Sequence, residues 1–218
     1  MKRFLLGLTV LFPFFVTPSI QAEDKDGDFY ISIGGGYQFP QVTTIKAPVA
    51  GTTYKLDYEF DGSENFDLGI GYDFGQWRVH GGLSKGTLSL DSIKRDGTKL
   101  AITVEDIDVT VWGLGAIYEF TKDSKITPII MSGLSYQSGT DALVSVQTGG
   151  QNTNFTVSSD ELWALQLGGG FIYELKEDIG IYTKVGTAIP LSNSDLPEGW
   201  TENSPTVFGF NIGLMYSF

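Results

Sequence analysis

The sequence contains no cysteine and only one histidine, His80. The lack of cysteine excludes the small secreted folds that depend on disulfide bonds. A single histidine without cysteine also leaves too few ligands for an ordinary zinc site. We therefore predict no metal and no other cofactor.

Basic residues are scarce, and long apolar runs are missing. The 14 lysines and arginines stand against 26 aspartates and glutamates, so the formal net charge is −12. Such an acidic chain repels phosphate backbones, and we expect no nucleic-acid partner. Beyond the N-terminus no segment is long and apolar enough for a transmembrane helix, which needs about 20 such residues.

The first 22 residues have the features of a secretion signal. Lys2 and Arg3 precede an apolar run at residues 4–16, and small residues at 19–22 offer a cleavage site before Glu23. An uncleaved anchor in the membrane interface is the alternative. Cleavage leaves 12 basic and 26 acidic residues, a net charge of −14. We assign residues 1–22 to the signal, 23–27 to an acidic lead-in and 28–218 to one domain.

One short phrase occurs four times, at residues 69–74, 115–120, 170–175 and 213–218. Each copy begins with glycine and ends with tyrosine, a polar residue and phenylalanine or leucine. Because side chains alternate across a strand, the aromatic residues lie on one face and the polar residue on the other. The phrase is typical of the end of a β-strand that faces two different media.

Alternation of large apolar with small or polar residues predicts eight strands. The fifth, residues 126–136, carries apolar residues on both faces and contains Pro128, so its faces stay unassigned. In the others the second face is mostly glycine, serine, asparagine and glutamine, which suits the interior of a narrow barrel. A spanning barrel also needs an apolar exterior. We predict an all-β fold, namely a transmembrane eight-stranded antiparallel up-and-down β-barrel.

The connections alternate in length. Short turns at 75–76, 122–124 and 176–178 contrast with long segments at 40–63, 86–103, 137–160 and 190–205, which predicts short periplasmic turns and long extracellular loops. Residues 40–63 and 141–157 alternate like hairpins, which either bind another chain or surface or cap the barrel mouth. At the short-turn side we predict a periplasmic aromatic girdle of Tyr72, Phe74, Trp77, Tyr118, Phe120, Tyr173, Tyr216 and Phe218.

The signal, the eight strands, the turn phrases and the terminal Tyr-Ser-Phe together resemble the small outer-membrane β-barrel proteins of Gram-negative bacteria. The nearest groups are opacity-type surface proteins and outer membrane protein X, and the resemblance covers residues 28–218. It implies an outer-membrane location, contact with outer-membrane lipid and lipopolysaccharide, and insertion by the barrel assembly machinery. The C-terminal signal read by that machinery would consist of Phe208, Phe210, Ile212, Leu214, Tyr216 and Phe218.

Several charges fall on the predicted inner face. We predict a network in the lumen formed by Asp67, Asp73, Arg78, Glu119, Glu174 and Lys184. Four of these lie near the periplasmic end, and Lys184 with Asp67 would form a second layer. The network either plugs the lumen with salt bridges or lines a path for protons or ions.

The chain offers little for catalysis. His80 and Ser84 share the inner face, but four residues of strand separate them by about 13 Å, beyond the reach of proton transfer. Residues 24–28 resemble a calcium loop, except that Phe29 stands where the loop needs glycine. We therefore predict a non-enzymatic surface protein that recognises an extracellular protein or surface, or else has a structural role. A narrow porin-like channel is the alternative, and a lipid-modifying enzyme is a remote third.

Overall fold

The computed structural model describes residues 27–49, 51–104, 106–121, 124–140, 142–148, 151–157, 162–191, 201–203 and 206–218. The predicted signal and most of the acidic lead-in lie outside these residues. No helix in the described ranges is long and apolar enough to cross a membrane. The strands are β1 (Asp28–Pro40), β2 (Thr43–Val49), β3 (Thr52–Phe60), β4 (Ser63–Asp73), β5 (Trp77–Leu88), β6 (Leu90–Arg95), β7 (Thr98–Lys99), β8 (Ala101–Val104), β9 (Ile107–Glu119), β10 (Ile126–Gly139), β11 (Ala142–Thr148), β12 (Gln151–Val157), β13 (Leu162–Lys176), β14 (Ile179–Pro190), β15 (Thr201–Glu202) and β16 (Val207–Ser217).

Eight of these strands close into one barrel, in the order β1, β16, β14, β13, β10, β9, β5 and β4. All neighbours are antiparallel, and β1 closes the ring because it pairs with both β4 and β16. Ile33, for example, lies between Leu68 on one side and Leu214 on the other. The predicted eight-stranded up-and-down barrel is confirmed.

Large apolar side chains cover the outside of the barrel. Leu114 of β9 and Val185 of β14 are 65% and 62% exposed, and alternate residues from Phe208 on β16 to Phe218 directly after it are exposed as well. Hydrocarbon accommodates such a surface, whereas water does not. With the exception of Glu174, the faces predicted for seven strands agree with the observed burial.

The strand with unassigned faces is β10. Its side chains at Thr127 and Ile129 are buried inside the barrel, whereas Ile126 and Ile130 are exposed outside. Both faces are apolar in sequence because the lumen at this level is itself packed with apolar side chains. Two-residue alternation therefore could not distinguish them.

The two ends of the barrel differ in the length of their connections, as predicted. Gly75, with φ of 99°, makes the tight turn between β4 and β5, and its N–H donates to Asp73 Oδ1 at 2.8 Å. A positive φ of this kind favours glycine. At the opposite end the chain builds a five-stranded sheet, ordered β15, β2, β3, β6, β7, and a three-stranded sheet, ordered β12, β11, β8. The hairpins predicted at 40–63 and 141–157 are the pairs β2–β3 and β11–β12.

Candidate functional site in the barrel lumen

Arg78 is the centre of a charge cluster at the periplasmic end of the lumen. It is the first inward residue after the β4–β5 turn, and only 7% of it is exposed. Its Nη2 lies 3.1 Å from Asp73 Oδ2 on β4, and its Nε pairs with Glu119 Oε1 on β9. Glu119 is 2% exposed, so this pair is almost completely withdrawn from solvent. The structure thus brings together three of the six predicted lumen charges.

The Arg78 side chain also reaches across the lumen. Its Nη1 donates to Met215 Sδ at 2.8 Å on β16, which β4 and β1 separate from β5 in the barrel. Its Cζ lies 5.1 Å from the centroid of the Tyr30 ring on β1, a cation–π distance. Contacts with four other strands therefore hold the guanidinium in place across the lumen.

An apolar cluster adjoins Arg78 and contains residues of five strands. Its buried members are at most 7% exposed, and Ile117 packs against them. Together with Asp73, Arg78 and Glu119 this cluster is called the plug below. Sequence analysis expected small and polar residues throughout the lumen, so it missed most of these bulky ones. The buried members are Tyr30, Ile129, Ile172, Tyr182 and Met215.

Inward glycines make room for the inward tyrosines of the plug. A Cβ atom at Gly34 or Gly213 would overlap the phenol ring of Tyr182, and one at Gly71 would overlap that of Tyr30. Tyr30 lies two residues before the inward Ser32 on β1, so alternation along the strand could have placed it on the inner face. At these three positions the inner face is therefore small because a neighbouring strand inserts an aromatic ring.

Asp67 organises a second polar layer beside the plug. Its two carboxylate oxygens accept hydrogen bonds from Tyr182 Oη and, at 2.6 Å, from Asn211 Nδ2. Lys184 was predicted to pair with Asp67, but it belongs to none of the ion pairs among the described residues. Its Nζ lies instead 4.3 Å from the centroid of the Tyr182 ring. Because neutral donors already occupy both Asp67 oxygens, the layer is held by tyrosine and asparagine.

Glu174 lies apart from the lumen network that was predicted to include it. Its side chain is exposed. The register between β13 and β14 shifts between Glu174 and Lys176, so strict alternation ends there. This irregularity has no clear sign in the sequence, where the turn phrase at 170–175 matches the other copies.

His80 and Ser84 have separate partners. Tyr30 Oη and His80 Nδ1 are 3.2 Å apart, whereas Ser84 Oγ accepts a hydrogen bond from Asn65 Nδ2 at 3.1 Å. The two side chains therefore do not form a nucleophile and its base. No group of three or more histidine, aspartate or glutamate side chains in the described part of the chain could hold a metal ion.

Beyond the second layer the lumen contains a cavity of about 230 Å³, called the vestibule below. It extends from the Asp67 layer towards the extracellular end of β1. Its lining combines amides, the single histidine and two opposite charges. The polar side chains that define it are Gln38, Asn65, Asp67, His80, Gln166 and Lys184.

The aromatic residues predicted for the periplasmic girdle lie on the outside, at the short-turn end. Ring centroids of Trp77 and Tyr118 are 4.8 Å apart, and those of Tyr216 and Phe218 are 5.1 Å apart. Tyr72 contacts Phe74 in the same way, and Tyr173 is exposed. The six residues of the predicted assembly signal, five on β16 and Phe218 directly after it, are all exposed on the outside. Recognition of β16 by an assembly machinery stays a prediction.

The five-stranded sheet beyond the membrane has one polar and one apolar face. On the polar face Lys94 pairs with Glu59, and this hydrogen bond, together with one from Ser92, lowers the pKa of the Glu59 carboxyl below its ordinary value of 4.5. On the other face Ala47 and Ile93 are each 3% exposed. The sheet is therefore a folded extension of the barrel.

Comparison with known proteins gives structural matches alone, since the sequence matches no family model and no curated protein. Outer membrane protein OprG from Pseudomonas aeruginosa has a TM-score of 0.57 at 21% identity, with 89% of this chain and 97% of that one covered. Neisserial surface protein A has a TM-score of 0.52 at 15% identity, covering 89% and 100%. Outer membrane protein AlkL has a TM-score of 0.52 at 16% identity, covering 92% and 94%.

At these identities the matches show a common fold. A fold alone does not determine whether a protein catalyses a reaction, so the predicted lack of enzymatic activity stays a prediction. The closed antiparallel barrel, its apolar exterior and the shared fold agree with one another. The chain therefore has the fold of the outer-membrane eight-stranded β-barrel proteins.

Proposed function

We propose that this barrel is a surface protein that acts through its extracellular sheets in recognition or adhesion, while its lumen is sealed. The observation that carries the proposal is the plug. Arg78 contacts four other strands inside the lumen, and the buried apolar cluster packs beside it. A solute or ion would have to displace a buried, fully contacted guanidinium to pass, which is energetically costly.

The extracellular sheets supply the recognition surface. In the three-stranded sheet β12 lies at an edge, so its outer row of backbone N–H and C=O groups has no strand beside it among the described residues. An open edge of this kind accepts a strand from another chain. The partner in this proposal is an extracellular protein with an extended segment, or a surface that displays one.

Conductance in planar lipid bilayers tests the sealed lumen. We expect the wild-type barrel to give no steady current above the lipid background and Arg78→Ala to give measurable openings. Asn65→Ala, which changes the vestibule and leaves the plug intact, is the matched control and should stay closed. A steady wild-type current would contradict the proposal and favour a channel.

A narrow channel is the second candidate, and the vestibule favours it. A polar cavity of about 230 Å³ already leads from the extracellular side to the second layer. In that case the plug would be a gate, and openings would occur in the wild-type protein as well as in Arg78→Ala. The same recordings therefore separate the two functions.

Replacement of residues 142–157 by a tight turn tests the recognition surface. Cells that display the intact protein should attach to protein-coated surfaces more than cells with an empty vector, and the shortened variant should lose this gain. Reaction of residues in β2–β3 with an impermeant label on intact cells verifies that both versions are displayed. Equal attachment by intact and shortened proteins would rule out β11–β12 as the recognition element.

A further inference from the structure

A groove interrupts the apolar outer wall of the barrel between β4 and β13. Its volume is about 680 Å³. Four leucines on four different strands form its sides, so its lining is overwhelmingly hydrocarbon. The groove lies on the outside and is separate from the plug. Its leucines are Leu68, Leu83, Leu114 and Leu134.

The groove exists because one outward position is glycine. The outward rows of the described barrel strands contain three glycines, at 35, 81 and 169. A Cβ atom at Gly35 or Gly169 would lie 3.1 Å from a backbone oxygen of the adjacent strand. At Gly81 the nearest atom would be 3.8 Å away. A side chain would fit at Gly81, so backbone crowding does not account for the glycine there.

Aromatic side chains mark how deep the groove lies in the bilayer. Trp112, Tyr136 and Trp163 are in register on three adjacent strands, and the rings of Tyr136 and Trp163 are 5.3 Å apart. All three line the groove. Tryptophan and tyrosine prefer the boundary between hydrocarbon and headgroups. The upper end of the groove is therefore at that boundary, on the side of the long loops.

Lys85 lies directly above the groove. It follows Leu83 by two residues in the outward row of β5, is exposed, and is the lone outward cation in the long-loop half of the described barrel strands. Phe66 and Thr110 are its uncharged cross-strand neighbours. Two outward acids, at positions 64 and 108, lie diagonally from it, which weakens its attraction for anions without cancelling it. A cation at this height faces lipid phosphates.

We propose that the groove over Gly81 binds one acyl chain of lipopolysaccharide, with a phosphate of the same molecule at Lys85. The long-loop side faces the outer leaflet, where lipopolysaccharide combines several acyl chains with phosphates. The groove supplies the apolar contact and the lysine supplies the charge. This site does not depend on the sealed lumen, so either proposal stands without the other.

Native mass spectrometry of the refolded full-length barrel, titrated with purified lipid A in mild detergent, measures this binding. We expect one lipid A molecule to bind before any others. Gly81→Leu fills the groove and should weaken this first binding about tenfold, as expected if two methylene groups lose their contacts. Thr183→Leu on β14, which places the same leucine side chain at an exposed position across the barrel, should leave it unchanged.

Two further variants complete the test. Lys85→Gln should weaken lipid A binding about two- to fivefold and leave phosphatidylcholine binding unchanged, because one lysine near a membrane surface contributes about fivefold. Gly81→Ala adds a methyl group that the space accommodates, so it gives a smaller loss in a barrel that folds. Equal lipid A affinity in wild type, Gly81→Leu and Gly81→Ala would overturn the site. Equal affinity for lipid A and phosphatidylglycerol would overturn lipopolysaccharide as its occupant.

Discussion

The two halves of the lumen share eight strands and one pattern of alternation, yet one is filled with packed side chains and the other holds a cavity. In the periplasmic half, Arg78 and the apolar cluster meet from opposite walls and occupy the interior. In the extracellular half, amides and two charges of opposite sign that form no ion pair among the described residues surround a cavity of about 230 Å³. The strand number sets the diameter, but a few inward residues determine whether the lumen is blocked.

The largest difference between the halves should follow from removal of their cations. Arg78→Ala removes the cation that pairs with Asp73 and with the buried Glu119, and we expect a loss of about 3–5 kcal/mol in the free energy of unfolding. Lys184→Ala removes the cation of the vestibule, which no ion pair holds, and should cost about 1 kcal/mol or less. Urea titration of barrels in phospholipid vesicles measures both. Similar losses for the two variants would contradict the assignment of the plug.

Truncation of two inward residues of β10 compares the halves on a single strand. Ile129→Ala creates a hole in the packed cluster and should cost about 2–4 kcal/mol. Met131, two residues further on, borders the vestibule, so Met131→Ala enlarges a space that already exists and should cost less than half as much. The same urea titrations report both values. An equal cost would mean that the vestibule is as tightly packed as the plug.

Addition of a methyl group to two inward glycines of β16 probes the same contrast. Gly213→Ala meets both the Tyr182 ring and the backbone oxygen of Ile33, and it should destabilise the barrel by about 1–3 kcal/mol. At Gly209 the nearest atom to a new Cβ is Tyr37 O at 3.3 Å, so Gly209→Ala should cost less than about 1 kcal/mol. The double variant Gly213→Ala with Tyr182→Phe tells how much of this cost comes from the Tyr182 hydroxyl and how much from the ring and the Ile33 backbone together. If Gly209→Ala were the more damaging change, the plug would not be the crowded half.

The smallest effect concerns an ion pair outside the membrane. The pKa of Glu59 is lowered by hydrogen bonds from Lys94 and Ser92 in the folded state. The stabilisation is therefore fully present above the ordinary pKa of 4.5 and is lost as the pH falls through the lowered value. Hydrogen-exchange protection of β3 and β6 should decrease in this range, while β4 and β5 keep theirs. In Glu59→Gln the decrease should disappear, and its persistence would point to another acid.

Much of the barrel could be predicted from the sequence because each strand separates hydrocarbon from a narrow interior. Large apolar side chains therefore alternate with small or polar ones every two residues. The same rule placed Asp73 and Arg78 together, since both flank one tight turn on the inner face. It could not foresee that Tyr182 and Asn211 satisfy Asp67, because those strands are distant in sequence. It also failed at Glu174, where a register shift ends the alternation.

Bulky residues inside the lumen were the other limit of sequence reasoning. Alternation reveals which side a residue occupies but not which side chains from opposite walls meet. Ile129 and Ile172 were therefore invisible as partners, and β10 could not be assigned. The glycines opposite Tyr30 and Tyr182 carry this information, but only once the register between strands is known.

The seam between β1 and β16 has a consequence for biogenesis. It pairs Tyr30 with Ser217 and Pro40 with Val207, positions separated by nearly the whole described chain. Every other pairing in the barrel joins strands that follow one another along the chain once the strands of the two extracellular sheets are left out. These pairs can form locally. Contacts between distant positions form late because long loops must close first. Until then the backbone N–H and C=O groups along the facing edges of β1 and β16 have no hydrogen-bond partners, which is energetically costly in hydrocarbon. Closure of the barrel and its insertion into the bilayer should therefore occur as one coupled event.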